Sequence, residues 1–199
     1  MPRASFLPLS VSRTSLLSNR SDAGFRGLLY DLFALTAILE TARKEFAVKI
    51  DVAPSQYSMI RVVAERHRHG GITVSEVART LQLHNSFVVL QTGLLVKKGI
   101  LMRTPNPRDK RSVLLRLSRK GEQLVATIAP TTVLVNDLFF GWMNKEDFKH
   151  FSAIIAELVE RGPAALDTLR SALPASTRRR RNIKDAATPK RLVNSIAQP

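Results

Sequence analysis

Between Thr73 and Gly121 two helix-length segments, a glycine stop and an arginine-bearing hairpin follow one another with almost no spare residues, an order that leaves few folds open. Thr73 with Glu76 three residues on makes a capping box, and Val74, Val77, Ala78 and Leu81 then repeat at helical spacing. Asn85 or Ser86 is placed to cap the next helix, and Gly99 suits the left-handed residue that ends it. Leu101–Thr104 and Val113–Leu117 are short strands around Pro105-Asn106-Pro107, and Ser118 is placed to cap whatever follows.

A helix pair with a tight turn lays its second helix in a DNA major groove. An arginine-rich loop between two strands is a probe for phosphates or a narrow minor groove. The charge agrees. The chain of 199 residues has a net charge of +15, carried by residues 1–20 (+3), 103–120 (+6) and 174–199 (+6), while the rest balances at 14 basic and 14 acidic residues. A basic excess confined to two tails and one hairpin fits a polyanion, nucleic acid before others.

Before the helix pair, Phe25, Leu28, Leu29, Leu32, Leu35, Leu39, Ala42 and Phe46 mark a helix over about 21–50, too long for a small lobe to cover alone and so a candidate dimer element. Pro54 sits at the first position of a second helix, which ends at Gly70-Gly71. A further helix runs from Arg119 to about Trp142, with Pro130 expected to kink or split it. Asn144 opens a last amphipathic helix, expected to break at Gly162-Pro163 and to resume as a short helix from Ala164 to Leu173. The fold class is therefore mainly α with a small β-hairpin wing. A winged helix-turn-helix over about 54–118 lies between dimerisation helices over about 22–50 and 119–173. Residues 1–21 and 174–199 read as disordered basic tails.

The wording Asn106-Pro107-Arg108-Asp109-Lys110-Arg111, followed by Leu117-Ser118-Arg119-Lys120-Gly121, resembles the MarR family of bacterial winged-helix regulators. There the wing typically reads Asp-Pro-x-Asp-x-Arg and the next strand ends in Leu-Thr-x-x-Gly. The resemblance covers about residues 25–170 and implies a homodimer whose two lobes bind the halves of a pseudo-palindromic operator in double-stranded DNA. It implies a transcription regulator, a repressor in the first reading, released by a small effector such as an aromatic acid.

The residues assigned to DNA are His84, Asn85, Ser86, Phe87 and Gln91 on the second helix of the pair, with Arg103, Arg108, Lys110 and Arg111 on the hairpin. Asp109 is assigned a structural role, pairing with a neighbouring arginine to hold the wing. With Val88, Thr92 and Leu95 inward, Phe87, Leu90 and Leu94 face outward, so only His84, Asn85, Ser86 and Gln91 offer donors and acceptors to bases. Phe87 and Val89 are then placed for thymine methyl groups. Lys97 and Lys98 fit helix-end compensation as well as DNA contact.

Phe139, Phe140, Trp142, Phe148 and Phe151 fit core or interface packing or the lining of an effector pocket, with Arg26, Arg43 or Arg61 available to a carboxylate. His67 and His69 point to different sides of one helix and read as solvated. The chain has no cysteine, no phosphate-binding glycine loop and no His-x-x-x-His pair. No catalytic residue, cofactor or metal is assigned, and an enzyme is not expected. No unbroken apolar run approaches about 18 residues, so no membrane partner is expected and the location reads as cytoplasmic, on the nucleoid when DNA is bound. Two alternatives stand beside the regulator: an architectural or weakly specific DNA binder driven by wing and tails, and a protein-interaction module using the apolar helix face.

Overall fold

The computed structural model describes residues 7–109 and 111–173; the expectations for residues 1–6, Lys110 and the tail 174–199 fall outside them. The chain divides into two units, residues 1–139 and 140–199.

The first unit opens with a segment for which composition suggested only disorder. A single 3-10 turn spans Thr14–Leu16, and Ser18 bridges Ser21. The physical reason for this order is Asp22, which is buried. One of its carboxylate oxygens accepts both the backbone N–H (2.7 Å) and the hydroxyl (2.6 Å) of Ser10, and the other meets the Arg26 guanidinium. The Ser10 bonds, reinforced by Arg26, hold this carboxyl below its usual pKa. The pin is therefore intact at neutral pH and is lost as pH falls through that lowered value.

Helix α1 spans Ala23–Lys49 and α2 spans Pro54–His67, close to the expected bounds and with Pro54 in the first turn. Gln56 reaches back to the Ala53 N–H (3.1 Å) in place of a hydroxyl cap. Strand β1, Ile72–Thr73, leaves no signal in the sequence, because two residues carry no alternation for periodicity to detect. Helix α3 spans Val74–Thr80, and its capping box forms as read: Thr73 Oγ1 accepts from the Glu76 N–H, and the Glu76 carboxylate accepts from the Thr73 N–H.

Helix α4 spans Asn85–Lys97. Its cap position is His84, not Asn85 or Ser86, and no side chain closes it; Asn85 is already helical and donates to Ser75 Oγ at 3.3 Å. The turn between α3 and α4 passes through Gln82 at φ 51°, while Leu83 N–H reaches back to the Ala78 carbonyl. That is a helix-ending motif with glutamine where glycine is usual.

Strands β2 (Leu101–Pro105) and β3 (Val113–Leu117) form the wing, and β1 joins β3 to give an antiparallel sheet in the order β1-β3-β2. Leu115 faces Ile72 on one side and Arg103 on the other, and Leu117 faces Leu101. Leu115, Leu117 and Leu101 turn inward onto Met59, Ile60, Val63, Val77, Val88 and Leu95, the buried centre of the lobe. Each such side chain contributes roughly 1.5–3 kcal/mol.

Helix α5 spans Arg119–Phe140 without a break at Pro130. The proline removes one backbone bond, but Ile128 and Thr132 on either side are buried, and Thr132 returns its hydroxyl to the Ile128 carbonyl at 2.9 Å. By length and mean hydropathy (1.3) this helix reaches the level of a membrane span, although threonines, Pro130, Asn136 and Asp137 leave it no unbroken apolar run. Val133, Leu134 and Leu138 are exposed on this single chain.

In the second unit α6 spans Lys145–Ala172, opened by Asn144 Oδ1, which accepts from the Glu146 and Asp147 N–H groups at 2.8 and 2.9 Å. The expected break at Gly162-Pro163 and the separate helix from Ala164 are absent. The residue before a proline is pushed out of helical geometry largely through its Cβ, and Gly162 has none. No α6 residue is buried, although Phe148, Ile154, Leu158, Val159, Leu166 and Leu169 line it.

Two glycines give opposite tests of this packing. A Cβ on Gly121 would lie 2.3 Å from the Ile100 carbonyl oxygen, backbone that cannot step aside. Gly121→Ala should lower unfolding stability by roughly 3 kcal/mol. Mid-helix Gly93 has only the Arg103 guanidinium at 3.9 Å, so Gly93→Ala should raise stability by up to about 1 kcal/mol. Urea unfolding of both variants checks the pair; equal midpoints would contradict the packing described.

Candidate nucleic-acid interface

The outer face of α4 and the wing tip are the two parts of the first unit that present exposed side chains of the assigned kinds. Val88, Thr92 and Leu95 are fully buried, and the Thr92 hydroxyl is returned to the Val88 carbonyl at 2.7 Å. The opposite ridge therefore runs Ser86, Leu90, Gly93, Leu94 and Lys97, flanked by Phe87 and Val89. His84, Asn85, Ser86 and Phe87 cluster at the exposed start of the helix as expected. Gln91 does not stand among them: it is half-buried, and its carbonyl oxygen accepts from the Gln56 amide at 2.9 Å. A buried Gln56 needs that acceptor, and sequence spacing alone does not reveal such a partner 35 positions away.

The wing tip is built by side chains that imitate backbone turns. Asn106 Oδ1 accepts from the Arg108 N–H (3.0 Å), and Asp109 Oδ1 accepts from the Arg111 N–H (2.9 Å). Asn106 Nδ2 donates to Ser112 Oγ at 2.8 Å and ties the two ends. The expected pairing of Asp109 with an arginine side chain is thus replaced by a backbone contact. Among the described residues it makes no ion pair with an arginine, because its carboxylate is turned into the loop. The consequence is that Arg108 and Arg111 are exposed and uncommitted to Asp109.

Arg103, on β2, leans across toward α4: its Nη2 lies 3.9 Å from where a Gly93 Cβ would stand. The fold thus brings Arg103 beside the middle of the helix ridge. This proximity has a sequence signal only in hindsight, an isolated glycine in a helical pattern. At the wing base Arg116, not singled out from sequence, lines a crevice of about 590 Å³ together with Arg108, Gly71 and Glu76.

Two basic residues prove structural. Lys98 donates to the Asp51 carbonyl at 2.7 Å and so ties the end of α4 to the turn after α1, while the Lys120 ammonium donates to the Lys98 carbonyl at 3.0 Å and closes the C-terminal end of α4. His67 is not solvated as expected. Its Nδ1 accepts from the Leu117 N–H at 3.2 Å and its Nε2 meets Glu122 at 2.8 Å, joining α2, the end of β3 and the start of α5. Among the described residues no group of three metal-binding side chains gathers.

The aromatic set separates. Phe140, Phe148 and Phe151 line a groove of about 380 Å³ on the second unit, whereas Phe139 lines another with Ala37, Ile38 and Thr41. A third cavity, about 360 Å³, lies between α1 and α5, bounded by Ala42, Phe46, Lys49, Ile128, Thr131 and Val135. Of the arginines considered for a carboxylate, Arg26 is taken by Asp22 and Arg43 by Glu40.

A tight helix pair with its second helix exposed, followed by a two-stranded wing that β1 extends to a three-stranded sheet, defines a winged helix-turn-helix protein. The chain matches the MarR family model over residues 57–113. It is similar to the HTH-type transcriptional repressor MdtR of Bacillus subtilis, 26% identical over 129 residues that make up 65% of this chain and 81% of MdtR. Its fold is similar to that of CouR from Rhodococcus jostii RHA1 bound to p-coumaroyl-CoA, with TM-score 0.61 and 19% identity over 70% of this chain and 96% of CouR. A regulator assigned to the MarR family from Listeria monocytogenes, complexed with 26mer DNA, gives 0.60 and 16% over 74% and 97%.

Asp109→Ala should free the Arg111 amide: its hydrogen exchange should speed up at least tenfold, with global stability changed by less than about 1.5 kcal/mol. Unchanged exchange at Arg111 would mean that the carboxylate does not order the tip.

Proposed function

We propose that this regulator is a homodimer that binds a pseudo-palindromic operator, with α4 of each subunit in the major groove and the wing on the flanking minor groove. The observation that carries the reading is the placement on one lobe of the exposed start of α4, Arg103 beside Gly93, and a wing tip whose turns leave Arg108 and Arg111 outward. The Listeria regulator of the same fold bound to DNA supports it. Lys110 belongs to the same basic loop in sequence. The protein acts by binding rather than catalysis, and in the cytoplasm.

A second copy of the chain is the partner that the apolar faces of α1, α5 and α6 call for. Phe33 and Leu138 on the first unit, and Phe148, Leu158 and Leu169 on the second, are each exposed on the single chain, and exposed apolar faces of this kind on soluble proteins mark interfaces. Two linked lobes bind two half-sites only at a fixed separation, so a small ligand that alters that separation releases DNA. The cavity between α1 and α5 suits an aromatic acid: its walls are Phe46, Ile128 and Val135, and Lys49 stands at its edge to meet a carboxylate. Repression relieved by such a ligand is the mode of action we favour. A weakly specific binder driven by charge is the second reading, favoured by the segregated +15.

Selection on random duplex DNA separates the two. The regulator reading expects a pseudo-palindromic consensus, and Arg108→Ala with Arg111→Ala should shrink the log-affinity against log-salt slope by about 1 for each arginine in every wing that touches phosphate. No consensus, with affinity collapsing uniformly as salt rises, would establish the charge-driven reading instead.

A further inference from the structure

Of the polar residues on the first three turns of α4, Thr92 is buried and two more are already engaged within the protein. The Asn85 amide donates to Ser75, and the Gln91 carbonyl accepts from Gln56. What α4 offers outward is apolar: Leu90 is 60% exposed, Val89 50%, Leu94 40% and Phe87 38%, on a helix whose opposite face is fully buried. Leu90 stands at the crest, since Ser86 before it is small and Gly93 after it has no side chain. A ridge of this kind commonly meets another protein. Here it is bordered by Arg103 and followed by the exposed arginines of the wing, and a basic border around an apolar crest matches a duplex. The major-groove edge of DNA carries one apolar group, the 5-methyl of thymine.

We propose that this chain selects its site mainly through thymine 5-methyl groups read by Leu90 and Phe87, with the basic wing supplying affinity and the polar residues of α4 a minor share. The proposal rests on the DNA-binding reading above and names the chemistry of that site. It makes thymine-rich half-sites the preferred substrate, and it makes a cytosine methylated at the 5-position a substitute for a contacted thymine, since both place the same methyl in the same groove.

The test uses the full chain and the duplex recovered by selection, with thymines replaced one at a time by deoxyuridine. That exchange keeps every pairing and hydrogen-bonding group and removes only the methyl. One buried methyl corresponds to about a fourfold loss of affinity, and the same change in both half-sites to roughly tenfold or more. The surface double variant Phe87→Ser, Leu90→Ser, with an unchanged thermal unfolding midpoint as the check on its fold, should bind thymine and uracil duplexes equally. A consensus bound equally well with uracil throughout, or discrimination that survives the double variant, would overturn the assignment. Absence of binding to any duplex at low salt is a separate failure: it would remove the DNA-binding reading itself and leave the ridge to a protein partner.

Discussion

The backbone of Ile100 holds the two halves of the proposed interface at a fixed angle. Its N–H reaches back 2.9 Å to the Leu95 carbonyl and ends α4, with Gly99 at φ 68° making the reversal possible. Its carbonyl accepts both the N–H and the hydroxyl of Ser118, at 3.0 and 3.1 Å, where the wing returns and α5 begins. Gly121 passes against the same oxygen so closely that no side chain fits. One buried residue therefore ties the end of the recognition helix, the first wing strand and the first turn of α5. His67 supports the joint from the other side through Leu117 and Glu122. A helix and a wing that swung independently would have to be ordered anew at each encounter with DNA, and that entropy would be lost from affinity.

On this rigid lobe two kinds of force are kept apart. The wing is charged, exposed and shaped by turn-mimicking side chains, so its attraction to phosphate is long-range, salt-dependent and indifferent to sequence. The helix ridge is apolar and short-range, and any discrimination it makes depends on close fit. On the first unit, faces of α1 and α5 add a further surface, apolar and uncovered on the single chain. Charge and apolar fit thus have separate physical seats.

Much of this was legible from sequence because it rests on local rules. The Thr73–Glu76 box, the Asn144 cap, the Gly99 stop and the inward set Val88, Thr92 and Leu95 all follow from spacing of three or four residues, and all stand in the structure. What could not be read was non-local or below the length at which a pattern forms. Spacing puts Gln91 among base readers because nothing near it reveals Gln56, and it leaves His67 solvated because its partners lie 50 and 55 positions away. Strand β1 is too short to alternate. The rule for an isolated helix has Pro130 kink or split its helix and Pro163 break the next; buried neighbours keep the first continuous, and a preceding glycine suits the second.

The most direct measurement of the central claim, that helix and wing engage one half-site together, is dimethyl sulfate protection on the selected duplex. The reagent methylates guanine N7 in the major groove and adenine N3 in the minor groove, so a single experiment reports both. The account predicts protected guanines under each α4 and protected adenines beside them, with only the adenine protection lost when Arg108 and Arg111 are replaced by alanine. Protection at neither position in a complex that nevertheless forms would contradict it, leaving backbone charge alone to hold the DNA.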